Sequence, residues 1–104
     1  MRTAMRVSIP VDAGNHAIQE GRLERTLEKV MQSLKPEASY FYPDEHGRRN
    51  MFLVFDLKNP SDIPAIVEPF FMELGAEVHV IPCMNLQDLK EGLSKMMSGV
   101  HATR

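Results

Sequence analysis

Tryptophan is absent from this chain, cysteine occurs once, and no run of apolar residues is longer than five. The lone Cys83 excludes an internal disulfide and fits a reducing compartment, so a cytoplasmic setting is expected. The longest apolar run, Met51 to Phe55, falls far short of the roughly 20 residues that cross a bilayer. The opening Met1-Arg2-Thr3-Ala4-Met5-Arg6 leads into no signal-like apolar block either, and no membrane partner is expected. Neither sign of charge dominates. Twelve basic residues against 14 acidic ones leave a net charge of -2, which gives no electrostatic basis for a nucleic-acid partner. There is no Gly-rich phosphate loop, zinc-ligand spacing, nucleophile elbow, repeat or low-complexity segment, so neither a metal nor a cofactor is expected.

What the chain does contain is ordinary for a soluble globular protein: 104 residues, 43% hydrophobic and 25% charged, with eight methionines that suit an adaptable core or contact surface. One domain covering residues 1–104 is expected, able to bury roughly two-thirds of its unfolded surface.

The most strand-like stretch is Asn50 to Lys58. Met51, Leu53, Phe55 and Leu57 share one face of it, and Phe52, Val54 and Asp56 share the other, because side chains alternate with period two. Both faces of such a strand need cover. Met5, Val7, Ile9 and Val11 alternate with polar residues and predict a first strand. Asp12-Ala13-Gly14-Asn15 then breaks the pattern, with Asp12 or Asn15 available as a helix cap. Ile18, Leu23, Leu27, Val30, Met31 and Leu34 predict a helix stripe that ends at Lys35-Pro36. Gly21 implies either a close backbone approach within that helix or a first turn set off from the rest.

Ala38 to Tyr42 predicts a second strand, aromatic enough for an edge, joined to the central strand by the charged loop Asp44 to Arg49, whose tip is expected to be mobile. Asn59-Pro60-Ser61-Asp62 predicts the start of another helix. In it Pro69 should cause a kink or a restart, and Gly75 should form the C-terminal cap. Val78 and Val80 predict a fourth strand ending at Pro82. Asn85 then caps a last helix with Leu86, Leu89, Leu93 and Met96 on one stripe, and residues 98–104 read as a loose tail.

The order strand, helix, strand, strand, helix, strand is that of an α+β, ferredoxin-like βαββαβ sandwich, here with an extra C-terminal helix. Its two long helices cover one sheet face and leave the other bare. The expected bare face holds Arg6, Ser8, Phe52, Val54, Asp56, Glu77, His79 and Ile81, with an aromatic residue from the second strand; the central strand is apolar on both sides and leaves the inverted assignment open, and this one is favoured because it sets Met5, Val7, Ile9, Val78 and Val80 under the helices. A patch with Phe52, Val54 and Ile81 is more than a monomer usually exposes, so a homodimer through this face is expected.

Val11-Asp12-Ala13-Gly14-Asn15, Lys35-Pro36-Glu37-Ala38-Ser39-Tyr40-Phe41 and Ile63-Pro64-Ala65-Ile66-Val67-Glu68-Pro69-Phe70-Phe71 resemble segments of small uncharacterised bacterial proteins of the dimeric α+β barrel superfamily. The resemblance spans nearly the whole chain and implies two sheets facing each other around a two-fold axis. That superfamily includes cofactor-free monooxygenases, muconolactone isomerases, haem-handling enzymes and stress-responsive proteins. No catalytic motif of theirs is present to assign a role to a residue here.

The candidate ligand-binding residues are Arg6, Ser8, Tyr40, Tyr42, Phe52, Val54, Asp56 and His79, around a space suited to a small, partly apolar ligand. His79 is the candidate catalytic residue, since an imidazole gives and takes a proton near neutral pH. The alternative is an inert, hydrogen-bonded strand histidine. Asp56 and Arg6 are expected to pair across the two central strands, or else to hold a polar ligand together. Tyr40 and Tyr42 would bring hydroxyls to a pocket rim or simply pack an edge. His16 and Glu20 have metal-ligand spacing but no third ligand, His46 and His101 have no fixed partner, and Cys83, with no basic residue near it in sequence, reads as a structural thiol. Three functions fit: a ligand-binding dimer, a cofactor-independent oxygenase or isomerase, and a scaffold without ligand.

Overall fold

The computed structural model describes residues 1–102, arranged as strand β1 (Arg2–Ile9), helices α1 (Val11–Gln19) and α2 (Arg22–Leu34), strands β2 (Ala38–Pro43) and β3 (Arg49–Asp56), helix α3 (Ile63–Leu74), strand β4 (Glu77–Pro82) and helix α4 (Leu86–Ala102). The strands form one antiparallel sheet in the order β2-β3-β1-β4. This is the expected ferredoxin-like α+β arrangement, with β1 and β3 in the middle.

The expected single helix after β1 is two helices. Gly21 adopts φ 73° between them, a left-handed conformation that glycine takes without steric cost and that stops one helix and starts the next. The break resets the helical phase. Ala17 and Gly14 face inward on α1, Ile18 is exposed rather than on the inward stripe, and Val30 and Thr26 are buried on α2. Val11 likewise begins α1 instead of ending β1, because Pro10 has no N–H for the ladder. Neither Asp12 nor Asn15 caps α1; Asn15 instead accepts a 2.9 Å hydrogen bond from Arg49 at the start of β3.

α3 neither restarts nor divides at Pro69. The carbonyl four residues back belongs to exposed Ala65, where water can take the place of the missing N–H. Gly75, at φ 58°, closes the helix as expected, and Ala76 N–H reaches back to the Phe70 carbonyl. At the base of the β2–β3 loop, Asp44 accepts from the backbone N–H groups of His46 and Arg48 and, at 2.7 Å, from Asn50 Nδ2. Asn85 caps α4, with its Oδ1 2.8 Å from Asp88 N–H while Asp88 accepts from Asn85 N–H. The helix then runs on to Ala102, so the stretch expected to be a loose tail from Ser98 is helical, and residues 103–104 lie outside the described residues.

Met5, Val7, Ile9, Met51, Leu53 and Phe55 are buried between the sheet and the helix layer, where Ala17, Val30, Phe70 and Leu74 meet them. Each such side chain contributes roughly 1.5–3 kcal/mol of burial. The same alternation puts Arg2, Ala4, Arg6 and Ser8 of β1 on the opposite face, which no helix of α1 to α3 covers. α4 does not cover it either. From Leu86 to Gly99 every residue except half-buried Asp88 is exposed. The helix extends the molecule to 61 Å along its long axis, and the radius of gyration is 17.3 Å, where a compact chain of this length has about 13 Å.

Candidate functional site

Strand register arranges the uncovered face in rows. Arg6 pairs with Phe52 on one side and His79 on the other, and Phe52 pairs with Tyr40, so Tyr40, Phe52, Arg6 and His79 form one row across all four strands. Neighbours in such a row stand roughly 5 Å apart, one strand spacing, and the row spans about 14 Å. The next row toward one end is Ala38, Val54, Ala4 and Ile81; toward the other it is Tyr42, Asn50, Ser8 and Glu77. All eight residues anticipated for this face lie on it. Tyr40 is 65% and Ile81 59% exposed, Phe52 and Val54 are half-buried, and Ser8 is buried although it points to the open side.

One expected pairing does not form. Asp56 lies opposite Arg2, four residues and about 13 Å along the strand from the position opposite Arg6. Its carboxylate meets the Met1 amine at 2.5 Å and Lys58 at 2.9 Å, and the hydrogen bond from that amine, reinforced by Lys58, lowers its pKa to about 2. Arg2 is occupied as well. It binds Glu37 at 2.6 Å and Asp88 at 3.0 Å, and the hydrogen bond that its Nε–H donates to Glu37 leads the interactions that hold its guanidinium protonated. Among the described residues, Arg6 has no carboxylate within ion-pair distance and no side-chain hydrogen bond. The centre of the face therefore carries an uncompensated positive charge between an aromatic ring and an imidazole.

Chemically, this row can hold an anion beside an apolar group, and His79 can exchange a proton with whatever Arg6 holds. Tyr40 and Tyr42 are on the same face, on the edge strand β2. His16 lies on α1 with Glu20 at its C-terminal end, His46 lies in the β2–β3 loop, and no group of three or more metal-binding side chains occurs among the described residues. No described helix is long and apolar enough to cross a membrane. Cys83 has a basic neighbour after all, because Cys83 N–H bonds to the Arg2 carbonyl at 3.1 Å and the two residues line one small hollow with Met1 and Met84.

Two features of the surface escaped sequence reasoning. Asn50 and Arg2 also belong to the open side, and extending the period-two pattern back from Phe52 and Arg6 would have placed them. The second feature is a cleft of about 970 Å³ on the helix side, where α2 and α3 diverge over Leu57; Arg25 and Lys29 stand on one wall, Ile66 and Pro69 on the other. It depends on the splay of two helices, for which residue spacing carries no signal.

The fold resembles that of a formyltetrahydrofolate deformylase from Pseudomonas putida KT2440, with a TM-score of 0.52 and 9% identity over 80% of this chain. This chain spans only 29% of the deformylase. A de novo designed protein, Ferredog-Diesel, aligns over 79% of this chain and 85% of its own at 9% identity and a TM-score of 0.49. The regulatory subunit of aspartate kinase from Thermus flavus aligns over 99% of this chain and 71% of its own at 16% identity and a TM-score of 0.46. No curated protein matches the sequence. Residues 3–97 match the model of a domain of unknown function, DUF3303, and the chain belongs to that family.

Proposed function

We propose that the protein is a homodimer in which the open sheet faces of two copies enclose a small, partly apolar ligand, with an anionic group of that ligand held by Arg6. The observation that carries this reading is the row Tyr40, Phe52, Arg6, His79. It sets a cation without a partner among the described residues beside aromatic and apolar side chains on an uncovered sheet. A second sheet laid over it would exclude water, strengthen the attraction of Arg6 for an anion, and cover Phe52, Val54 and Ile81.

The same row favours a second reading, in which His79 moves a proton on a bound molecule whose negative charge Arg6 stabilises, as in a cofactor-independent oxygenase or isomerase. Both readings need Arg6; only the second needs the imidazole to titrate.

A thermal-shift titration with 1-naphthalenesulfonate tests the binding reading. The probe joins an apolar ring system to an anion, and a ligand selective for the folded state raises the melting temperature with the logarithm of its concentration. Arg6→Gln should lose most of that rise. An equal rise in wild type and variant would place the probe elsewhere and remove Arg6 from the site.

A further inference from the structure

We propose that α4 is an exchanged arm, packing its apolar stripe on the β2 edge of a second copy of this chain. The inference rests on the facing-sheet dimer above and adds what α4 does in it.

Leu86, Leu89, Leu93, Met96 and Met97 are each 41–66% exposed. At 100° per residue they fall within about 100° of arc, the width of a stripe that normally meets a core. Lys95, Glu91 and Gln87 lie on the far side of the helix. An amphipathic helix whose apolar side meets only water is incomplete.

The total surface gives the scale of what is missing. A compact monomer of 11.8 kDa exposes about 5,900 Å². This chain exposes 7164 Å². The excess exceeds the ~800 Å² that each partner contributes to a standard stable interface. A second copy can remove it from both chains at once.

The direction in which α4 leaves the body selects that occupant. Its first turn is held by the ion pair from Asp88 to Arg2, whose side chain alternates with buried Thr3 and so lies on the open side of the sheet. In the facing-sheet dimer, this is the side that the second copy occupies. α4 follows β4, at one edge of the order β2-β3-β1-β4. A two-fold axis running along the strands between facing sheets sets β4 of one copy over β2 of the other. β2 is the edge with matching needs: Tyr40, Phe41 and Tyr42 are consecutive, aromatic and exposed.

Photo-crosslinking of the full chain carrying benzoylphenylalanine in place of Leu93, mixed with a differently tagged wild-type copy, tests the arm. The expected product joins the two tags, with the adduct on residues 40–42. Sedimentation of Leu89→Asp/Leu93→Asp should show dimer dissociation raised at least tenfold, while Lys95→Glu on the polar side leaves it unchanged. Because these positions are exposed, the variant body should keep its cooperative melt. Adducts confined to the same chain, adducts on the α2–α3 cleft, or an undiminished Leu89→Asp/Leu93→Asp dimer would each overturn the arm and leave the facing-sheet reading standing. A wild-type chain that sediments as a monomer at all micromolar concentrations, with Val54→Asp behaving identically, would overturn both.

Discussion

Arg6 and His79 are direct cross-strand partners on the uncovered side of the sheet, with Phe52 flanking Arg6 on the opposite strand. Two basic side chains side by side, without a carboxylate bound to Arg6, are not an arrangement that stabilises a sheet, since like charges opposite each other repel when both are protonated. The face is suited to receive a negative charge.

Arg6→Gln should weaken binding of 1-naphthalenesulfonate by roughly 10- to 100-fold, the value of a charge-assisted hydrogen bond of about 1.5–3 kcal/mol. Stability without the probe should change by no more than about 0.5 kcal/mol, as for an exposed site. Isothermal titration and urea unfolding together check both halves. A large loss of stability would mean that Arg6 is structural.

Leu53 and Val54 are adjacent on β3 and face opposite ways. Leu53→Ala should cost about 2–5 kcal/mol, since the side chain is wholly buried against the helices. Val54→Ala should cost about 1 kcal/mol or less in dilute protein and should instead weaken self-association. Urea melts at low and high protein concentration separate the two effects. If the two substitutions had equal cost at every concentration, the two-faced reading of β3 would fail.

Gly75 and Gly92 should respond to alanine in opposite directions. Gly75 holds φ 58°, so Gly75→Ala should destabilise by about 1–2 kcal/mol. Gly92 lies inside α4 with nothing near its missing Cβ, and Gly92→Ala should raise the helicity of α4 by the ~1 kcal/mol by which alanine exceeds glycine in a helix. Thermal melts followed by circular dichroism report both.

Acid should weaken the native state through Asp56 and Asp44. Hydrogen bonds from the Met1 amine and Lys58 lower the Asp56 pKa to about 2, and hydrogen bonding led by the Arg48 backbone N–H lowers that of Asp44. A carboxylate with a lowered native pKa binds its proton more readily when unfolded, so its contribution is complete above the ordinary value of 3.8 and is lost as pH falls toward the native one. The melting temperature of Asp56→Asn should therefore lie below that of wild type at pH 7 and approach it between about pH 4 and pH 2. A difference that stayed constant across that window would exclude the ionic contribution.

The period-two patterns of β1 and β3 were enough to sort Met5, Leu53 and Phe55 from Arg6, Phe52 and Val54, because in a strand the side-chain direction follows from residue number alone. The Gly75 cap and the Asn85 cap were equally legible, each being a local event within a few residues. Ile18 was misplaced for the complementary reason. A periodic stripe assumes one continuous helix, and a single residue in the left-handed region rotates everything before it.

By itself, then, the sequence determined the order of the four strands and which residues of each strand share a face, since both are encoded by spacing along the chain, while the division of the first helix at Gly21 and the face left open came with the packing. Only the tertiary structure decided which residues meet. Register set Arg6 beside His79 and moved Asp56 four residues out of its reach; the Arg2–Asp88 ion pair fixed where α4 departs. Register and ion pairing join residues some 50 to 86 positions apart, and the energy that selects them comes from the packing of the whole sheet against its helices, which no local pattern carries.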